Sequence, residues 1–321
     1  MKRVLILVLA LLFIAASFGF AQKKLTFAYM PGIEDPFMRM IEQGAAAKAK
    51  ELGASLIVGE YPKAWGADIQ VPILEALVAR GGFDFLIVVP TSNEALIAPL
   101  KKINAKGIPM VTTDTFLGNG DYSKASNFSF PLAYIGTDNV LGGYEVGKRL
   151  AELIGNTGKV YMNTTNPDAS SVTGRRDGFL KAMKEFPEIQ VVGIDYNLDV
   201  QETAQRQTSA VLQKHPDLKG IFGTNLFSAQ GAYQAVDNAG LSGEVKIASW
   251  DATPDLIQAL KDGKVDLVLA QRPYQIGQLA VEWGYKFLTQ KATVPKKVIP
   301  GFFFFTRENV DAPGSQSYIY Q

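Results

Sequence analysis

Short apolar runs alternate with helix-period segments along almost the whole chain, and this alternation fixes the fold class. In the first half the strand-like runs are residues 25–29, 55–58, 85–89 and 110–113. Helical segments fall between them, at residues 37–52, 69–80 and 94–105. In the first of these Phe37, Ile41, Ala45 and Leu52 recur at helical spacing. Each helix is followed by a glycine, at Gly53, Gly81 and Gly107, the residue that best adopts a left-handed stop. The second half repeats the scheme, with strands at 160–163, 191–196, 220–223, 245–250 and 265–270. Helices follow at 175–186, 202–213, 228–238, 254–261 and 274–288. The pattern predicts an α/β protein whose parallel sheets are covered by helices on both faces. A length of 321 residues suggests two such doubly wound domains.

The first residues predict a removable export signal. Lys2 and Arg3 are followed by an apolar run to Ala16 and a small-x-small site at Gly19-Phe20-Ala21. Cleavage after Ala21 leaves residues 22–321 as the mature, exported chain. Loss of Lys2 and Arg3 turns the formal charge of +1 into −1, which argues against a nucleic-acid partner. The chain has no cysteine, so it can form no disulfide and carries no lipid-anchoring thiol after the signal. The mature form is expected to be a soluble monomer. With one histidine, His215, in the helix-end loop Lys214-His215-Pro216-Asp217, no metal site is expected. No cofactor is expected either.

The most informative stretch is Val245-Lys246-Ile247-Ala248-Ser249-Trp250-Asp251-Ala252-Thr253-Pro254-Asp255. It predicts a buried strand, a turn and a helix start. Thr253 caps that helix, Pro254 opens its first turn, and Asp255 suits its positive end. Asp251 is unexplained by capping, and it stands where open parallel sheets bind ligands. Asp114, Asn225 and Gln271 hold the same position after other strands. Together they offer carboxylates and amides to a neutral polyhydroxylated ligand. Arg175 lies four residues before Phe179, on the inward face of its helix, whereas Arg176 is rotated away. As a cation at a helix start Arg175 would oppose the macrodipole, so a shared cleft with Asp251 is expected to compensate it.

Asp35 is a helix cap before Pro36 that also faces the strand ends. Phe37 is core or a ring laid on a ligand's C–H face. Trp65, in Pro62-Lys63-Ala64-Trp65-Gly66, is a stacking residue or lid. Trp250 should point away from Asp251 by strand alternation. Ile135-Gly136-Thr137-Asp138-Asn139 is an extended piece ending in a helix cap at Thr137 or Asp138, or a domain crossover. Phe302-Phe303-Phe304-Phe305 predicts a short buried strand. The tail from Asp311 is polar and expected to be loose, with Tyr318 and Tyr320 able to pack. No G-x-S-x-G, P-loop or G-x-G-x-x-G after a strand is present, so no catalytic residue is assigned and no enzyme is expected.

Several of these pieces together resemble the periplasmic sugar-binding proteins of the ribose-binding and glucose/galactose-binding group. They are Gly136-Thr137-Asp138-Asn139-Val140-Leu141-Gly142-Gly143, Arg175 before Gly178-Phe179, Thr224-Asn225, Trp250 to Asp255, and Ala270-Gln271-Arg272-Pro273-Tyr274-Gln275-Ile276-Gly277. The resemblance covers nearly the whole mature chain. It implies two doubly wound domains joined by a three-segment hinge, near Gly136-Thr137, Gln271-Arg272 and Pro300-Phe302. The domains would be residues 22–136 plus 272–300 and residues 137–271 plus 301–321. The family's ligand positions fall on Asp35, Phe37, Met38, Asp114, Thr115, Arg175, Asn225, Asp251 and Gln271. A sugar in the cleft would close the hinge, and an ABC permease would receive it.

This chain departs from both groups. Ribose binders that resemble it carry arginine at Thr115, asparagine at Asp35 and phenylalanine at Met38. The glucose/galactose binders carry histidine and aspartate where Ala169 and Ser171 stand, with Asp168 one place off. Neither group's second stacking aromatic is present near Leu198-Asp199, and the calcium loop has no match. The expected ligand is therefore a neutral monosaccharide or polyol of open identity. The other classes weighed are an exported carbohydrate-active enzyme, a sugar receptor for chemotaxis, and a lac-type repressor, whose N-terminal helix-turn-helix would lie where the export signal stands.

Overall fold

The structure is a computed structural model and describes residues 24–320. The signal sequence and its cleavage site lie outside the described residues. Two six-stranded sheets form two lobes. The first contains β1 (Thr26–Met30), β2 (Ser55–Val58), β3 (Phe85–Val88), β4 (Met110–Thr113), β5 (Tyr134–Ile135) and, far along the chain, β11 (Lys297–Val298). Its order is β11-β5-β4-β3-β1-β2, with every pairing parallel. The second contains β6 (Gly158–Thr164), β7 (Ile189–Tyr196), β8 (Leu218–Gly223), β9 (Lys246–Trp250), β10 (Leu267–Ala270) and β12 (Phe303–Phe305). Its order is β12-β10-β9-β8-β6-β7, and only β12 runs antiparallel. The phenylalanine run forms a short strand at residues 303–305, but at the sheet edge and fully buried only at Phe305, where a buried strand is expected. The short β11 was not anticipated, because two residues carry no periodicity.

Alternate residues of β1 serve opposite faces of the sheet. Phe27 and Tyr29 join one core cluster with Ile41 and Phe85, while Ala28 and Met30 join another with Leu74 and Leu86. β3 and β4 are buried along their whole length, as a two-sided sheet requires. Helices α1 (Pro36–Glu51), α2 (Ala67–Arg80) and α3 (Ile97–Ala105) cover the first sheet. Helices α4 (Asn139–Leu153), α5 (Ser170–Met183), α6 (Gln201–Lys214), α7 (Leu226–Asn238) and α8 (Pro254–Lys261) belong to the second. α9 (Pro273–Gln290) returns to pack on α1. The chain crosses between the lobes three times, at residues 136–138, 271–272 and 299–302.

Two expectations are corrected. α5 begins at Ser170, so Arg175 lies in its second turn and opposes no helix dipole. The segment after Val310 is ordered by its contacts. Ser315 donates to the Val310 carbonyl at 2.9 Å, the Tyr320 amide donates to the Ala252 carbonyl at 2.9 Å, and Ile319 and Tyr320 are buried. Polar composition hid this packing, because a few side chains among many polar ones carry it.

In each lobe a helix pair crosses at backbone contact. In the first, a Cβ on Gly277 would lie 2.0 Å from the Ile41 carbonyl oxygen, and one on Gly44 would lie 1.9 Å from that of Tyr274. In the second, a Cβ on Gly143 or on Gly178 would lie 2.0 Å from the Arg175 or the Val140 carbonyl oxygen, respectively. Backbone atoms cannot swing aside, so a methyl group must push the helices apart. Gly277→Ala should destabilise the fold by about 1–3 kcal/mol, seen by calorimetry as a lower melting temperature. An unchanged melting temperature would show that α1 and α9 are not held this closely.

Candidate functional site

The carboxyl ends of both sheets face one cleft of about 410 Å³, open space at its mouth included. Nine of the ten residues singled out from sequence line it: Asp35, Phe37, Met38, Trp65, Asp114, Arg175, Asn225, Asp251 and Gln271. Thr115 does not. Its hydroxyl donates to the Pro90 carbonyl at 2.6 Å and it is buried behind Asp114. Its part is to hold the turn that carries Asp114. Trp250 is fully buried beneath Arg175 and is not a lining residue, as alternation predicts.

Several of these side chains fold the backbone and line the cleft at once. Asp35 caps α1 by accepting from the Met38 amide at 2.7 Å. Asn225 caps α7 through Oδ1, accepting from the Ser228 amide at 3.0 Å. Its Nδ2 donates to Asp199 at 2.6 Å. Asp114 and Asp251 occupy left-handed turns, with φ of 60° and 76°. Asp tolerates that region better than most side chains, and the turns aim both carboxyl groups off the strand ends.

Among the described residues, Arg175 is the only cation lining the cleft. Its Nε donates to Asn139 Oδ1 at 3.0 Å and its Nη1 to the Thr224 carbonyl at 2.8 Å. Its guanidinium carbon sits 4.3 Å from the centroid of the Trp250 ring. Across the lobe boundary Nη2 lies 3.9 Å from Asp114 Oδ1. The neighbour of Asp177 is Arg176, at 2.8 Å, and not Arg175.

Four carboxyl groups share that one cation. Asp199 was missed from sequence, where the position is conspicuous only for lacking an aromatic ring. It lies in a turn after β7 in which Leu198 and Asp199 both take positive φ, and Asn225 draws its carboxyl into the cleft. Burial pushes Asp114 up to about 7, against the pull of Arg175 and the Ser171 hydroxyl. Burial also raises Asp199 to about 6, opposed by Asn225 and Arg175. Asp35 is raised well above its ordinary range by burial and by the other carboxylates, against the Met38 amide. Burial raises Asp251 too, with Arg175, Gln271 and Tyr320 opposing. Tyr320 is a second missed residue. Its hydroxyl donates to Asp251 Oδ1 at 3.1 Å across 69 positions of chain.

Phe37 and Trp65 supply the apolar surface on the first lobe. The Trp65 ring lies over Gly32, where a Cβ would come within 2.7 Å of it. Its buried Nε1 has no hydrogen-bond partner among the described residues.

The periplasmic binding protein domain model matches residues 28–292. The chain belongs to the periplasmic binding protein family. It is 30% identical over 295 residues to the ribose import binding protein RbsB of Salmonella typhimurium, covering 90% of this chain and 93% of that one. An ABC transporter solute-binding protein from Agrobacterium vitis, solved with α-D-tagatopyranose, matches with a TM-score of 0.90 and 38% identity. That match covers 93% of this chain and 100% of the other. A second Agrobacterium vitis solute-binding protein, solved with D-fucose, matches at 29% identity and a TM-score of 0.85, over 92% of this chain and 100% of that one. The two-lobed fold of this binding protein is the type I fold of the family.

The raised carboxyl groups couple closure to pH. Asp114 keeps its proton to about 7 in the closed cleft, against an ordinary 3.8, and Asp199 does so to about 6. Closure of the ligand-free binding protein therefore takes up protons. Their contribution to the closed form is complete below about pH 4 and is lost as the pH rises through about 7. Small-angle scattering of ligand-free protein should show a radius of gyration that grows over this interval. Asp114→Asn should flatten the growth, and a pH-independent wild-type radius would contradict the coupling.

Proposed function

We propose that this protein captures a neutral monosaccharide or polyol between its lobes and delivers it to an ABC importer permease. The mature form acts as a soluble periplasmic monomer, without metal or cofactor. Residues 22–136 and 272–300 move as one body and residues 137–271 and 301–321 as the other, about the three crossovers. The ligand contacts both bodies and so favours the closed form by its differential affinity.

The observation that carries this reading is the imbalance of hydrogen-bonding groups in the cleft. Four carboxyl groups face one guanidinium. The amides of Asn225 and Gln271 already give one N–H each to Asp199 and Asp251, at 2.6 and 2.8 Å. The open valences are therefore mostly acceptors, and a ligand rich in hydroxyl donors satisfies them. Phe37 and Trp65 add flat apolar surface suited to the C–H face of a sugar ring. The relatives that bind ribose or were solved with tagatopyranose and fucose support the same ligand class.

Thermal-shift measurements against pentoses, hexoses, cyclic polyols and linear polyols test the reading, beginning with D-ribose, D-allose, D-tagatose and D-fucose. A bound ligand raises the melting temperature by mass action. Silence across all four classes, or turnover of the sugar in stoichiometric excess, would reject sugar capture.

Within that reading, Asp251→Ala removes an acceptor while Arg175 stays buried. A buried group left unpaired costs about 1–3 kcal/mol. A micromolar complex is worth about 8 kcal/mol in all. Calorimetry should show affinity at least about tenfold weaker, roughly 1.4 kcal/mol, in a protein that still folds. Unchanged affinity would remove Asp251 from the site.

A further inference from the structure

Asp251 is held by two buried groups, Gln271, which also lines the cleft, and Tyr320, which does not. Its Oδ1 accepts from Gln271 Nε2 at 2.8 Å and from the Tyr320 hydroxyl at 3.1 Å. The direction of every bond in this cluster is fixed by chemistry. The Gln271 backbone amide donates to the Tyr320 oxygen at 2.9 Å, so the phenolic proton must go to Asp251. The Thr137 hydroxyl, 2.6 Å from Gln271 Oε1, must donate to it, because the amide oxygen is acceptor-only. The amide nitrogen of Gln271 is then turned to Asp251. All four groups are buried.

The members of this relay come from separate parts of the chain. Thr137 is in the first crossover and Gln271 in the second. Tyr320 belongs to the segment beyond β12, which is fastened by Tyr318. The Tyr318 ring stacks on Phe303 at 4.6 Å, and its hydroxyl accepts from Arg272 at 2.5 Å. Tyr320 also reaches the opposite lobe. Its ring centroid lies 6.0 Å from that of Phe37 on α1. Asp251 is thus the point at which two hinge crossovers, the 310–320 segment and a cleft-wall ring of the first lobe meet.

We propose that Thr137 and Tyr320 are positioning residues: through one directed hydrogen-bond relay they hold Asp251 ionised, with its second oxygen toward the ligand, and tie that carboxylate to the hinge. The inference rests on the sugar-capture reading. A donor removed from a carboxylate weakens its ionised form, so loss of the phenolic proton should act through Asp251 and not through the fold.

The test is titration calorimetry of the full mature chain with D-tagatose between about pH 4 and pH 8. D-fucose, D-allose and D-ribose serve in turn if D-tagatose gives no heat. Tyr320→Phe keeps the ring and its contact with Phe37 and removes only the hydroxyl. It should weaken binding about tenfold at neutral pH, as loss of a hydrogen bond to a charged group does. The acid limb of the affinity profile should move to higher pH, because Asp251 then protonates more readily. In an Asp251→Asn background the same substitution should cost about threefold or less, since the group it acts on is neutral. Thr137→Val breaks the other arm, should weaken binding in the same way, and reads the relay even if Tyr320→Phe does not fold. Unchanged affinity and acid limb in both variants, or equal losses with Asp251 and with Asn at that position, would overturn the relay while leaving sugar capture intact. Failure of the wild-type protein to bind any of the four sugars would instead overturn sugar capture, and the relay with it.

Discussion

The structure depends on how one buried guanidinium is held. Removing a charge from water costs several kcal/mol unless partners replace the lost hydration. Arg175 receives those partners from four elements. Asn139 opens α4, Thr224 follows β8, Trp250 ends β9, and Asp114 lies across the lobe boundary. The Trp250 face is satisfied only if the ring is pinned, and Gly142 allows this, since a Cβ there would come within 2.4 Å of it. Gly143, one residue on, lets α4 approach the backbone of Arg175 itself. The glycine pair in the sequence is therefore a condition for placing the cation, not a flexible joint.

The same construction appears in the first lobe without the charge. α1 and α9 cross at Gly44 and Gly277 as α4 and α5 cross at Gly143 and Gly178. In both lobes the crossing sets the height of a helix start over the strand ends. In the first lobe it seats Asp35 and Phe37, and in the second it seats Arg175. Asp35 and Phe37 thus stand on one side of the cleft and the cation on the other. Across the lobe boundary Asp114 stands 3.9 Å from Arg175.

What could be read from sequence follows the range of the interactions involved. The strand–helix order, the caps at Asp35 and Thr253 and the glycine stops are local, and the structure has them where periodicity and capping chemistry put them. Asp251 and Asp114 were visible as polar residues just past apolar strands. Three features were not. Asp199 enters the cleft because two consecutive residues adopt positive φ, which their identities permit but do not announce. Tyr320 reaches Asp251 over 69 positions, and no spacing rule spans that distance. Thr115 stands beside Asp114 in the chain, yet its hydroxyl is taken by Pro90, a partner fixed only by the tertiary fold. The start of α5 was misplaced for a related reason. Ala169, its first flanking residue, offers no capping side chain to mark it.

The excess of carboxyl groups explains why a hinge is needed and not merely tolerated. Burial, and to a lesser degree the neighbouring acids, disfavours the ionised forms of these carboxyl groups, as the upward shifts of Asp114 and Asp199 record. An empty closed cleft is therefore poorly compensated, and opening restores hydration to every carboxylate at once. A polyhydroxylated ligand supplies the missing donors without adding charge, and it can do so only when both lobes reach it. The acids that make the empty closed form costly are the same acids that make the filled one favourable. The difference between those two states is the free energy available to move the hinge.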